Sequence, residues 1–281
     1  MKVIDFRLRP PFRSYLNSFM YDMAALEKSH AARNLGRVSA AAAQKDMDLL
    51  IREMDEAGIL LGVAPVRLPQ NGDNEDAIRL MEKYPGRFLG IPWIDPVESE
   101  KALAEIAKWR KDKRCRGIIM EPGLATTPVK WFLNNSDIFP VYEFCQKEGI
   151  PVLLSFGGRL AHPQYYAPHL VYEVARRFPT LKLVLCHGGW PFVTEICKVA
   201  LDFPNVFISP DTWAMDFAPG AADYMTAANY MLQDQMVFGS SYPAIPLKKA
   251  VDNYLDRLRP EVAEKILYKN GMRIFNLEEP V

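Results

Sequence analysis

Asp5, Arg7 and Arg9 stand at alternate positions near the start of the chain, and alternate positions on a strand share one face. Two guanidiniums on one side of a buried strand end are costly unless something anionic meets them. Two readings stay open: Asp5 simply neutralises Arg7, or the arginines form an anion site. Glu121, Ser155, His187, Asp211, Ser241 and Tyr242 join them if each closes a strand. His187 is the natural proton carrier, since a free imidazole titrates near ~6.5; a purely structural histidine is the alternative. Ser155, His187 and Asp211 have the residue types of a nucleophilic triad, although the chain lacks a G-x-S-x-G elbow. Trp93 and Trp190 neighbour strand ends, where an indole walls a pocket or packs in the core. Glu121, before a proline, is either a second acid or base or half of a salt bridge. This set can grip a carboxylate and shift a proton. It is poor in metal ligands, because soft and borderline metals want several His or Cys side chains.

These residues become strand ends if the short apolar runs of the chain are strands. Such runs cover residues 3–9, 59–64, 88–94, 117–120, 150–154, 181–186, 205–208 and 236–239. Helical periodicity or helix stop signals fill the intervals at about 40–57, 74–84, 98–111, 137–148, 168–178, 191–201, 220–232, 247–257 and 260–268. Parallel strands need crossovers, and a helix in each crossover gives a single-domain (β/α)₈ TIM barrel over residues 1–281, with its chemistry at the C-terminal strand ends. The rival fold, an open doubly wound sheet, would carry a glycine-rich turn after its first strand. Here that turn reads Arg7-Leu8-Arg9-Pro10-Pro11. Residues 10–39 form a long irregular segment rich in aromatic side chains, among them Phe12, Tyr15, Phe19 and Tyr21. It is either a lid or a packed excursion.

With 281 residues, 49% of them hydrophobic and 24% charged, the composition is that of an ordinary globular protein. Zero net charge argues against a nucleic-acid footprint or an electrostatic membrane anchor. No apolar run reaches membrane-spanning length, and the N-terminus has no signal-peptide layout. Cys115, Cys145, Cys186 and Cys197 form no C-x-x-C pair and sit in apolar settings, as reduced core thiols do. The expectation is a cytoplasmic protein.

Several stretches resemble the amidohydrolase superfamily, in the branch of decarboxylases, hydratases and hydrolases that includes aminocarboxymuconate-semialdehyde decarboxylase. They are Ile150–Leu154, the run Arg177–Gly189 ending Leu185-Cys186-His187-Gly188-Gly189, Pro204–Phe207, the eighth-strand signature Val237-Phe238-Gly239-Ser240-Ser241-Tyr242-Pro243, and the closing helix Lys265–Phe275. The resemblance implies the barrel, and it implies a divalent metal, usually zinc. The family's ligands are a His-x-His pair on strand one, histidines after strands five and six, and an aspartate after strand eight. Here Arg7 and Arg9 replace the pair, Ser155 and Ser241 take two further positions, and His187 alone remains. A guanidinium has no lone pair to give, and zinc usually takes three or four protein ligands.

The expectation is therefore a lyase, decarboxylase or hydrolase that needs no metal or other cofactor. Its substrate is a small carboxylated, aromatic or cyclic molecule. Arg7 and Arg9 anchor the anion, with Glu121, Ser241, Tyr242 and Trp93 around it. His187, Asp211 and Ser155 carry the chemistry. The alternatives are a relative that binds a metabolite without turning it over and a metal-dependent hydrolase with unusual ligands, zinc being its metal. Relatives in this branch often dimerise, which makes a homodimer the implied assembly.

Overall fold

A computed structural model describes residues 1–124, 129–159 and 161–278. Apolar runs bounded by Gly and Pro give seven parallel strands: β1 (Val3–Asp5), β2 (Ile59–Pro65), β3 (Phe88–Ile91), β4 (Ile118–Met120), β5 (Val152–Ser155), β6 (Leu183–Cys186) and β7 (Val206–Ser209). They form two parallel ladders, β1-β2-β3 and β4-β5-β6-β7. A bridge from Trp93 to Ile119 joins β3 to β4, and one from Ile208 to Met236 joins β7 to an eighth segment. Phe6 N–H donates to the carbonyl of Phe238 at 2.9 Å and closes the ring onto β1. The result is the TIM barrel that the alternation of apolar runs and helices requires.

Residues 236–239 do not form the expected regular strand, and the reason lies in their neighbours. Phe238 N–H turns to the carbonyl of Ile266, and the carbonyl of Met236 is taken by the Asn270 side chain at 2.8 Å. Backbone groups that serve the closing helices are lost to the ladder. The barrel interior is filled by alternate strand residues, including Val63, Ile91, Ile119, Leu153, Val184, Phe207 and Val237. Their neighbours in sequence, such as Ala64, Met120, Leu154, Leu185 and Ile208, meet the surrounding helices.

Three other expectations are corrected. The helix expected over 40–57 is two helices, Ala40–Gln44 and Met47–Glu56. Lys45 takes a left-handed conformation between them, and Asp46 caps the second by accepting from the N–H groups of Asp48 and Leu49. The helix expected over 260–268 widens after Glu264 into a π-turn at Lys265–Lys269 before continuing as Asn270–Phe275. The 10–39 segment is not irregular throughout. Asp22 caps a helix at Met23–Ala32 by accepting from Ala25 N–H. All four cysteines are free, and no helix among the described residues is long and apolar enough to cross a membrane.

Candidate active site

Asp5, Arg7 and Arg9 all reach the C-terminal mouth of the barrel, but each does something different. Asp5 is fully buried. Its Oδ1 accepts from the N–H groups of Arg7 (2.9 Å) and Ser240 (2.8 Å), which ties β1 to the eighth segment. Burial pushes its carboxyl up to about 6, against the pull of those donors; the charge of Asp211 adds to the rise.

Arg7 is also fully buried. Its Nη2 lies 2.8 Å from His187 Nε2, and its Nε lies 3.4 Å from Asp211 Oδ2. A guanidinium can only donate, so Nε2 must be the acceptor and the imidazole proton must sit on Nδ1. Nδ1 in turn lies 3.2 Å from Asp211 Oδ2. Burial and then the nearby Arg7 charge lower the pKa of His187 from 6.5 to about 4, with Asp211 opposing. The expected titration of His187 near neutrality is thus corrected: the ring is neutral there, and its lone pair is occupied.

The backbone around this cluster is unusual. His187, Asp211 and Ser241 have φ of 70°, 56° and 60°. For non-glycine residues this left-handed region costs roughly 1–2 kcal/mol apiece. Local hydrogen bonds hold the shape. His187 N–H donates to Asp211 Oδ2 (3.1 Å), Ser209 Oγ donates to Asp211 Oδ1 (2.5 Å), and Thr212 N–H donates to Ser241 Oγ (3.3 Å).

Above the cluster opens a cleft of about 560 Å³. Arg9, His187 and Ser241 line it, as do Arg67, Thr212 and Trp213. From the 10–39 segment come Phe19, Met20, Asp22 and Arg33. Arg9 is only 4% exposed, its Nε has no partner, and no carboxylate among the described residues pairs with it. Burial, with Arg7 and Arg67 nearby, lowers its pKa well below the ordinary value, opposed by Glu121 and Asp211. Trp213 stacks on Trp190 with ring centroids 3.8 Å apart and planes 8° from parallel. Gly158 also lines the cleft at φ +86°, a conformation that suits glycine.

The remaining expected residues are placed as follows. Glu121 forms a buried ion pair with Arg67 at 2.6 Å. Ser155 ends β5 beside Cys186, yet it makes no hydrogen bond to His187, whose Nε2 faces Arg7 instead. The hydrogen-bond chain of a triad is not formed. Tyr242 is fully buried with its hydroxyl on Ser39 Oγ at 2.7 Å, so it does not complete the pocket. Trp93 belongs to the barrel core, and Arg7 lies beneath the cleft rather than on its wall. Sequence reasoning missed Arg67, although it directly follows the apolar run of β2, and it missed Trp213, two residues past Asp211. Scanning the two residues after every strand would have found the first.

The donor set does not fit the divalent metal that the resemblance implies. Among the described residues no three His, Cys, Asp or Glu side chains converge as a metal site would need. The nitrogen of His187 that could face an ion faces a guanidinium.

The family described as amidohydrolase matches residues 25–277. A solved structure of an uncharacterized TIM-barrel protein from Bordetella bronchiseptica is 34% identical, with 98% of this chain and 99% of that one covered and a TM-score of 0.90. A 2-amino-3-carboxymuconate-6-semialdehyde decarboxylase from Dictyostelium discoideum is 23% identical, covering 83% of this chain and 77% of the relative. A dihydroxybenzoic acid decarboxylase from Polaromonas, solved with bound manganese and the inhibitor 2-nitroresorcinol, shares the fold. It has 16% identity, 99% and 98% coverage and a TM-score of 0.69.

Proposed function

We propose that this chain, which belongs to the amidohydrolase family, is a decarboxylase-like enzyme that acts on a small aromatic carboxylate without a divalent metal. One observation carries the reading: Arg9 is a buried guanidinium on the wall of a cleft, and no carboxylate among the described residues is ion-paired with it. A buried charge without a counter-ion is costly, and a carboxylate held through a forked pair of hydrogen bonds removes that cost. Trp213, which lines the cleft and is held by stacking on Trp190, supplies an aromatic surface for a ring. The reaction class follows the relatives, two of which are decarboxylases; fold-level analogy is the warrant for that step.

In the reaction, the bond between the ring carbon and the carboxylate breaks. Its electron pair stays on the ring carbon, carbon dioxide leaves, and water protonates that carbon, the hydroxide so formed being taken up by carbon dioxide as bicarbonate in solution. Arg9 holds and orients the acid. Arg7 provides a fixed positive charge beneath the cleft, locked by Asp211 and His187. His187 is a positioning residue in this scheme, because its neutral ring has no free lone pair.

That same feature favours a second reading, a metabolite-binding relative without turnover. One experiment separates the two. The full-length protein, treated with a chelator, is incubated with hydroxy- and dihydroxybenzoates while carbon dioxide release and binding are both measured. Release that survives chelation and falls at least about 100-fold in Arg9→Ala supports the first reading. Binding without release supports the second. Release that returns only on adding manganese or zinc sinks the metal-free arm.

A further inference from the structure

We propose that the rim of the cleft is a second anion subsite, built from Arg33 and Arg159, so that the molecule accepted here carries anionic groups at both ends of a flat body. This deepens the carboxylate reading above and rests on it.

Arg33 closes the helix Met23–Ala32 of the 10–39 segment, and Arg159 lies in the loop after β5. Distant in sequence, the two line the same cleft as Arg9. Neither guanidinium has an ion-pair partner among the described residues. Arg33 rests over the ring of Phe217, its guanidinium carbon 5.2 Å from the centroid, which orients the side chain without neutralising it. The two cations affect one another: burial and then the charge of Arg159 lower the pKa of Arg33. Asp22 is a carboxylate on the same wall, but its Oδ1 caps the helix through Ala25 N–H. Glu121 is spent on Arg67. Among the described residues no carboxylate is therefore ion-paired with the cleft's cations at two places, Arg9 in its depth and the Arg33–Arg159 pair at its rim.

A single carboxylate on Arg9 leaves the outer pair facing itself. A second anionic group relieves that repulsion and gains charge-assisted hydrogen bonds to planar donors suited to carboxylate or phosphate. Trp213, stacked on Trp190, defines a flat wall of the cleft. Flat body and two charged ends together describe an aromatic or conjugated dianion.

Binding to the full-length protein is measured by calorimetry at constant ionic strength with benzoate, terephthalate and 4-carboxyphenyl phosphate. Terephthalate is expected to bind at least about tenfold more tightly than benzoate, the equivalent of about 1.4 kcal/mol. In the double variant Arg33→Ala/Arg159→Ala that preference should fall towards unity while benzoate affinity holds. Arg33→Lys/Arg159→Lys should restore part of it. Arg9→Ala should weaken all three ligands. Tightest binding of 4-carboxyphenyl phosphate makes phosphate the rim group; tightest binding of terephthalate makes it a carboxylate. Equal affinity for benzoate and both dianions, or a preference that the rim variants leave intact, overturns the subsite. Failure of Arg9→Ala to weaken benzoate overturns the deeper carboxylate reading instead.

Discussion

Arg7 donates from its Nη2 to Nε2 of His187 across 2.8 Å, and that contact fixes the state of the imidazole. Because an arginine cannot accept, the histidine is held as the Nδ1–H tautomer with its proton towards Asp211. A side chain that sequence reasoning reads as a proton shuttle is instead one member of a buried Arg7–His187–Asp211 cluster. An organic cation occupies the nitrogen that a metal ion would need.

Removing that cation should be felt twice. In Arg7→Ala, Asp211 and His187 lose their partner inside the barrel, and breaking a buried pair this way costs about 3–5 kcal/mol. Urea denaturation reads that loss. The pKa of His187 should also rise from about 4, because the Arg7 charge is the second cause of its depression and Asp211 remains. An NMR titration of the ring that still reports about 4 in the variant would contradict the electrostatic account.

Tyr242 behaves as structure, not as site. Its hydroxyl meets only Ser39 Oγ, at 2.7 Å, and the ring is fully buried. Burial pushes its phenol well up. Tyr242→Phe should cost about 1 kcal/mol in thermal or urea unfolding and leave benzoate affinity unchanged. A tenfold loss of affinity would return the residue to the pocket.

The barrel was legible because Gly and Pro punctuate each apolar run and because a strand buried on both faces reads as continuous hydrophobicity. The eighth segment was legible as a run but not as an exception to the ladder. Two of its hydrogen bonds go to Ile266 and Asn270, about thirty residues onward in the chain, and no local pattern announces that. The site divided along the same line. Residue types at strand ends put Arg9, His187 and Ser241 on the cleft. Which groups pair is a question of contact between strands: Arg7 finds His187 180 positions away, and Arg67 finds Glu121 on β4's end. Those pairings decide charge state, and charge state decides chemistry.

The dependence of stability on pH should be flatter than either buried acid alone would give. Asp5 carries a folded pKa of about 6 against 3.8 for the ordinary group. The folded chain therefore binds its proton more tightly, and this contribution to stability is lost as pH rises from about 4 to 6. His187, at about 4 against 6.5, has the opposite sign: the unfolded chain binds its proton more tightly, so stability rises over nearly the same window. Each amounts to at most about 3 kcal/mol. The groups facing them are Arg7, Arg9, Asp211 and the Ser240 N–H. Asp5→Asn removes the first contribution, and its stability should climb steadily from pH 4 to 6.5 while the parent stays nearly level. Parallel curves for the two proteins in urea titrations would show that Asp5 is not raised.

Gly239 is the point where the buried cluster leaves no room. A Cβ there would stand 2.4 Å from Asp211 Oδ1 and 2.8 Å from Ser209 Oγ. Neither neighbour can give way easily. Ser209 and Asp211 are both fully buried and share a hydrogen bond, and the other Asp211 oxygen accepts from His187 N–H and faces Arg7. Gly239→Ala should therefore destabilise by about 1–3 kcal/mol through overpacking. It should also move His187, because the carboxylate that meets its Nδ1 is displaced. Adding Ser209→Gly removes the contact at 2.8 Å and leaves the one at 2.4 Å, so it should rescue the loss only in part. The double-mutant cycle measures that coupling. Full rescue by Ser209→Gly would mean that Asp211 is free to shift, and the rigidity assigned to the Arg7–His187–Asp211 cluster would be wrong.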